Sequence, residues 1–157
     1  MIRVAIALGS NLGDRHAHLA WAVDHLGRHL HNIIASHPVE TEAVDVPDPQ
    51  PPYLNAVVVG ETSLPAGGLM EALMALERDR GRKRPSYRAP RTLDLDLILY
   101  GREIVDAPGV VVPHPRFRER RFVLEPLAAL VPDWKDPVTD KTVRELLGEL
   151  EAKEKGA

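Results

Sequence analysis

Apolar and polar positions repeat along this chain with two periods, and the changes of period mark its elements. Ile2–Leu8 is a β-branched run closed by Gly9-Ser10-Asn11, which predicts a buried strand. Leu19, Ala22, Val23 and Leu26 then recur at helical spacing behind Asp14, a natural N-cap. A second strand is expected over Ile33–Thr41. Glu42–Pro52 holds four prolines in eleven residues and must be a loop. Tyr53–Ser63 reads as a third strand. Pro65 opens a helix that carries Leu69, Leu73 and Leu76 on one face and stops at Gly81. A basic stretch follows, and then Thr92–Tyr100 is the fourth strand. Gly101-Arg102-Glu103 is expected to turn it back into a hairpin with Ile104 and Val105. The segment from Pro108 to Phe122 reads as a short extended piece and then irregular structure. Two short helices, over Val123–Leu130 and Lys141–Lys155, close the chain.

The order β-α-β-β-α-β matches the split βαβ arrangement. The expectation is an α+β fold: a ferredoxin-like antiparallel sheet with helices packed on it, plus a C-terminal hairpin and short helices. No repeat, low-complexity tract or long linker divides the chain, so residues 1–157 are expected to form a single domain.

The fourth strand breaks its own pattern. Leu93, Leu95 and Leu97 face one way, and Asp94 and Asp96 share the other face. A solvated polar face is the plainer reading of an isolated D-x-D, but Asp is a poor strand former and Thr or Lys would serve water better. Same-face carboxylates at i and i+2 lie about 6–7 Å apart and repel unless a cation sits beside them. Mg²⁺ suits such a pair, because it prefers oxygen, keeps several waters and is completed by substrate phosphates. Just before the strand, Arg82, Lys83, Arg84, Arg88 and Arg91 fall within ten residues. A charged loop alone could be merely solvated. Arginine forks for phosphate beside carboxylates for Mg²⁺ together describe a site for a metal-bound polyphosphate.

Composition narrows this further. The formal net charge is −3, which argues against a general nucleic-acid binder. There is no cysteine, hence no disulfide, thiolate metal site or thiol nucleophile. The apolar run at the N-terminus is too short for a signal peptide or a membrane span. A soluble cytoplasmic monomer, without membrane or nucleic-acid partners, is expected. Gly9–Asp14 follows a strand and opens a helix but lacks the G-K-[ST] ending of a phosphate loop. It is either a tight turn or the lining of a second pocket. His114 between two prolines reads more readily as structural, and Tyr53 and Phe122 could be core or could stack on a flat heterocycle beside Asn55. The other histidines, mostly along the first helix, read as surface. A two-metal nuclease and a non-catalytic ferredoxin-like module remain alternatives; the acidic charge opposes the first and the Asp pair the second.

Four segments carry a resemblance: LGSNLGD near the start, PPYLNAVV in the middle, APRTLDLDLILYG, and VPHPRFRERRFVLEPL. In this order they resemble the 6-hydroxymethyl-7,8-dihydropterin pyrophosphokinase family over nearly the whole chain. The resemblance implies a ferredoxin-like α+β enzyme that uses ATP as co-substrate. It would transfer pyrophosphate to the hydroxymethyl group of the pterin, giving the pterin diphosphate and AMP in folate biosynthesis. It makes Asp94 and Asp96 the ligands of two Mg²⁺ ions, and Arg82 and Arg91 catalytic cations on the phosphates. Glu77, Arg84, Leu97, His114 and Arg120 would line the ATP site. Thr41 and Val44 would bound the pterin pocket, with Tyr53 and Phe122 on the ring faces and Asn55 on its polar edge. The chain departs from the family's usual pattern at Tyr87-Arg88, Gly109, Val111 and Pro115.

Overall fold

The computed structural model describes residues 1–42, 50–81 and 92–156. Strands β1 (Ile2–Ser10), β2 (His31–Ala35), β3 (Val39–Thr41), β4 (Tyr53–Thr62) and β5 (Asp94–Tyr100) form one antiparallel sheet. Its order is β2-β4-β1-β5, with β3 also paired to β4. Helices α1 (Arg15–Leu26) and α2 (Ala66–Asp79) cover one face, and α3 (Arg121–Leu130) and α4 (Val143–Gly156) cover the other. This is the ferredoxin-like arrangement expected from the element order.

Strand alternation sorts the core into two layers. Val4, Ile6 and Leu8 of β1 join Leu95 and Leu97 of β5 under Leu19 and Leu26 of α1 and Leu69, Leu73 and Leu76 of α2. Ala5 and Ala7 face the other way, with Val57 and Val59, beneath Val123, Leu124 and Leu127 of α3 and Val143 and Leu146 of α4. The helix ends obey capping chemistry. Asp14 Oδ1 accepts the Ala17 N–H at 3.1 Å, and Gly81, at φ +93°, takes the left-handed conformation that ends α2. Thr142 Oγ1 accepts the Glu145 N–H at 3.1 Å while Glu145 Oε1 accepts the Thr142 N–H at 3.1 Å, a reciprocal capping box for α4. Asp136 is wholly buried but accepts hydrogen bonds from Arg118, Thr139 and Val138. Burial pushes its carboxyl up, and those bonds outweigh it and hold the group below the usual carboxylate range.

Two expectations need correction. The strand expected over Ile33–Thr41 is two strands. Pro38 lacks an N–H to donate, and Ser36 pairs its main chain and hydroxyl with Val57, so the ladder restarts at Val39. The hairpin expected from β5 does not form there either. β6 (Val105–Ala107) pairs with β7 (Val110–Val112) across Pro108-Gly109. The turn itself does form, Glu103 donating its N–H to the Tyr100 carbonyl at 3.1 Å, but the chain after it pairs onward across Pro108 and Gly109, at φ +83°, rather than back onto β5. Gly101 donates its N–H to the Arg3 carbonyl at 2.6 Å, carrying the chain along the end of β1. The stretch read as irregular holds a 3-10 turn over Phe117–Glu119, and Phe117 is buried.

Candidate active site

The α3/α4 side of the sheet changes character toward one end. In register, Gly9 of β1 lies between Asn55 of β4 and Asp94 of β5. One step inward, Ala7 lies between Val57 and Asp96. Asn55 and Asp94 are therefore two strand spacings apart, about 10 Å, across a residue with no side chain. A Cβ built on Gly9 would lie 3.4 Å from Asn55 Oδ1 and 3.5 Å from the Tyr53 ring, so the glycine keeps this floor low. Asp94 and Asp96 are half-buried, on the strand face opposite Leu95 and Leu97, as the alternation requires.

Asn55 is 5% exposed and oriented by its neighbours: its Nδ2 donates to Thr41 Oγ1 at 2.8 Å. Tyr53 pairs with Thr41 in the β3–β4 register, so Thr41, Tyr53 and Asn55 lie together. The turn after β1 borders the same region. Asn11 is buried and donates to Gln50 Oε1 at 3.0 Å and the Pro51 carbonyl at 3.3 Å, and Arg15 donates to the Pro52 carbonyl at 2.9 Å. The sequence signal for Asn11 was its place in Gly9–Asp14, where a bare turn and a pocket lining were equally open.

His114 follows a cis Val112–Pro113 bond. Its N–H donates to the Ile98 carbonyl at 2.9 Å, and its Nδ1 accepts the Arg116 N–H at 3.1 Å. Burial lowers its pKa, the nearby Asp96 charge opposes that, and Arg120 and Arg116 lower it further. His114, Asp96, Arg116 and Arg120 thus share one electrostatic neighbourhood, and the Arg116 N–H bond to Nδ1 favours the neutral ring. Arg120 Cζ lies 5.8 Å from the Phe122 ring centroid, and Phe122 packs at the edge of the layer containing Ala7 and Val57. Arg116 lies within the VPHPRFRERRFVLEPL segment, where only His114, Arg120 and Phe122 were assigned roles.

Glu77 is 5% exposed, and its Oε2 accepts the Leu95 N–H at 2.8 Å. It holds the residue between Asp94 and Asp96 from the side of β5 that does not pair with β1. Leu97 turns its side chain, 3% exposed, into the α1/α2 layer, which leaves its main chain to face a nucleotide. Arg82, Arg84, Arg91 and Val44 lie outside the described residues. Among the described residues, no cluster of three or more His, Cys, Asp or Glu stands ready to hold a metal. Two carboxylates on one face fit an ion that takes one or two protein oxygens and completes its shell with water and phosphate.

A family profile described as 7,8-dihydro-6-hydroxymethylpterin-pyrophosphokinase (HPPK) matches residues 5–132. The chain is 39% identical over 136 residues to a Pseudomonas aeruginosa protein named 2-amino-4-hydroxy-6-hydroxymethyldihydropteridine pyrophosphokinase, covering 86% of this chain and 84% of that one. A Bacillus subtilis protein of the same name is 42% identical over 127 residues, 80% of this chain and 75% of the relative. Among solved structures, Plasmodium falciparum HPPK-DHPS, wild type with pteroate, superposes with a TM-score of 0.71 at 14% identity. That match covers 99% of this chain and 43% of the longer one, and shows the fold.

Proposed function

The chain belongs to the 7,8-dihydro-6-hydroxymethylpterin-pyrophosphokinase family, which acts in folate biosynthesis, and on that premise we propose how its residues divide the work. The observation that carries the proposal is the row Asn55–Gly9–Asp94, which sets an oriented amide and a carboxylate on either side of a floor without a side chain. On the amide side, Asn55 held by Thr41 reads the polar edge of the pterin, and Tyr53 and Phe122 supply its aromatic walls. Val44 completes that pocket. On the other side Asp94 and Asp96 hold Mg²⁺, two ions in the full complex. When bound, Mg²⁺ neutralises phosphate charge and orients the phosphate oxygens.

The substrate hydroxymethyl oxygen attacks the β-phosphorus of ATP and gives up its proton to water. The bond from that phosphorus to the α,β-bridging oxygen breaks, and AMP leaves with the oxygen. His114, neutral and fixed by the Arg116 N–H, hydrogen-bonds the nucleotide, and Arg120 and Arg84 supply phosphate contacts. Glu77 and the Leu97 main chain line the same site. Arg82 and Arg91 stabilise the charge that builds on the transferring group. The active form is a cytoplasmic monomer; among the described residues no helix is long and apolar enough to cross a membrane. The test is to incubate the protein with Mg-ATP and 6-hydroxymethyl-7,8-dihydropterin and resolve the products by phosphorus NMR. AMP and pterin diphosphate in equal amounts are expected; stoichiometric ADP would replace this reading with an ordinary kinase.

A further inference from the structure

His18 does not behave as the surface residue its place on α1 suggests. It is half-buried, and its ring is bracketed from two sides. Arg80 Nε donates to its Nδ1 at 2.9 Å. Its other edge faces the turn after β1: a Cβ built on Gly13 would lie 3.3 Å from Nε2, and the Leu12 backbone beside it favours the protonated ring. Because Nδ1 accepts from Arg80, the ring is neutral with its proton on Nε2. The same helix grips Arg80 a second way. The Arg80 Cζ lies 5.1 Å from the Trp21 ring centroid. Trp21 is itself stacked on His25 at 3.9 Å, and His25 Nδ1 is bonded to the Trp21 carbonyl at 2.8 Å.

Arg80 is the C-cap of α2, and Glu77 sits one turn earlier. The last turn of α2 therefore has two attachments: Arg80 to His18, and Glu77 to the Leu95 N–H between Asp94 and Asp96. We infer that His18 is a positioning residue: by holding Arg80 it fixes the last turn of α2, and through Glu77 the strand that carries Asp94 and Asp96, and it releases that turn when protonated. The inference rests on the reading of those two aspartates as the Mg²⁺ ligands.

The release follows from the geometry. An imidazolium has no lone pair at Nδ1 and would confront a guanidinium at hydrogen-bond distance. Among the described residues, two groups charge the surroundings of His18: Arg80 from α2 and Asp14 from the cap of α1. Burial and then Arg80 lower its pKa, while the Leu12 backbone and Asp14 raise it, and the lowering prevails. The sign is therefore fixed. The tie is intact above the ordinary histidine range and is lost as pH falls through the folded-state pKa.

Two measurements test this. The first is the titration of the His18 ring by NMR in the wild type and in Arg80→Gln. The variant should raise the His18 pKa toward its ordinary value; an unchanged pKa overturns the tie without reference to activity. The second is the pH profile of turnover. The wild type should lose activity with an inflection at the His18 pKa found by NMR. His18→Asn offers Arg80 an acceptor that cannot titrate, so it should keep neutral-pH turnover and lack that inflection. His18→Leu should lose about tenfold at every pH and need more Mg²⁺ for half-saturation. An inflection that persists in His18→Asn overturns the positioning role. Full activity in Asp96→Asn would instead sink the metal assignment while leaving the NMR result standing.

Discussion

The α3/α4 side of the sheet presents two surfaces built from the same three strands a few residues apart. At one end Ala5 and Val59 lie beside Leu99 and Ile98, and Phe117, Leu124 and Leu127 fill the space above them. At the other end the equivalent row is Asn55, Gly9 and Asp94. The middle strand is small throughout, running Ala5, Ala7, Gly9. Large apolar groups from α3 and the 3-10 turn occupy the depth this leaves at the first end. At the second end the flanking strands line it with polar groups instead. The β1–β4 ladder runs unbroken through both and the β1–β5 ladder resumes after one bulge, so the rigidity of the packed end is available to hold the polar end in place.

Breaking the polar end should cost the most function for the least stability. Asp96→Asn and Asp94→Asn should each lower turnover roughly 10²–10³-fold, since each removes one anchor of charge stabilisation. Their thermal midpoints should stay within a few degrees of wild type, measured by calorimetry beside steady-state kinetics. A fully active Asp96→Asn would mean the strand face is merely solvated. Breaking the packed end should do the reverse. Leu124→Ala leaves a void under α3 and should cost about 2–5 kcal/mol in denaturant melts, while the folded fraction keeps its kcat. The smallest effect sharpens the boundary. Gly9→Val favours the strand backbone but fills the low floor beside Asn55 and Tyr53. It should raise the pterin KM about tenfold, about 1.4 kcal/mol, and leave the melting curve and the ATP KM alone. Equal losses for both substrates would move the pterin away from Gly9.

Much of this was legible because alternation is local. Leu95 and Leu97 against Asp94 and Asp96 place themselves on opposite faces from the sequence alone, and the helix faces and caps follow 3.6-residue spacing and single-residue chemistry. What escaped depends on contacts distant in the chain. Glu77 reaches Leu95 across 18 positions and His18 meets Arg80 across 62, and no periodicity carries that information. The β6–β7 hairpin escaped for a different reason. Both turns form, and pairing follows the second, because which strand a turn hands its chain to is not written in the turn residues.

One residue of β5 serves no alternation at all. Opposite the step from Ala5 to Ile6 on β1, β5 advances from Leu97 to Leu99, so Ile98 is extra to the ladder. Ile98 and Leu99 then share the α3/α4 layer, and Tyr100 returns to the α1/α2 layer, where its hydroxyl reaches the Leu64 carbonyl. The carbonyl of that surplus residue accepts the His114 N–H. A redesign that idealised the sheet by deleting Ile98 would keep every remaining side chain on its present face and yield a more regular strand. It would also remove the partner that moors His114 beside Asp96. In this strand the irregular residue is the one that ties the sheet to the loop, and regularisation would erase the tie first.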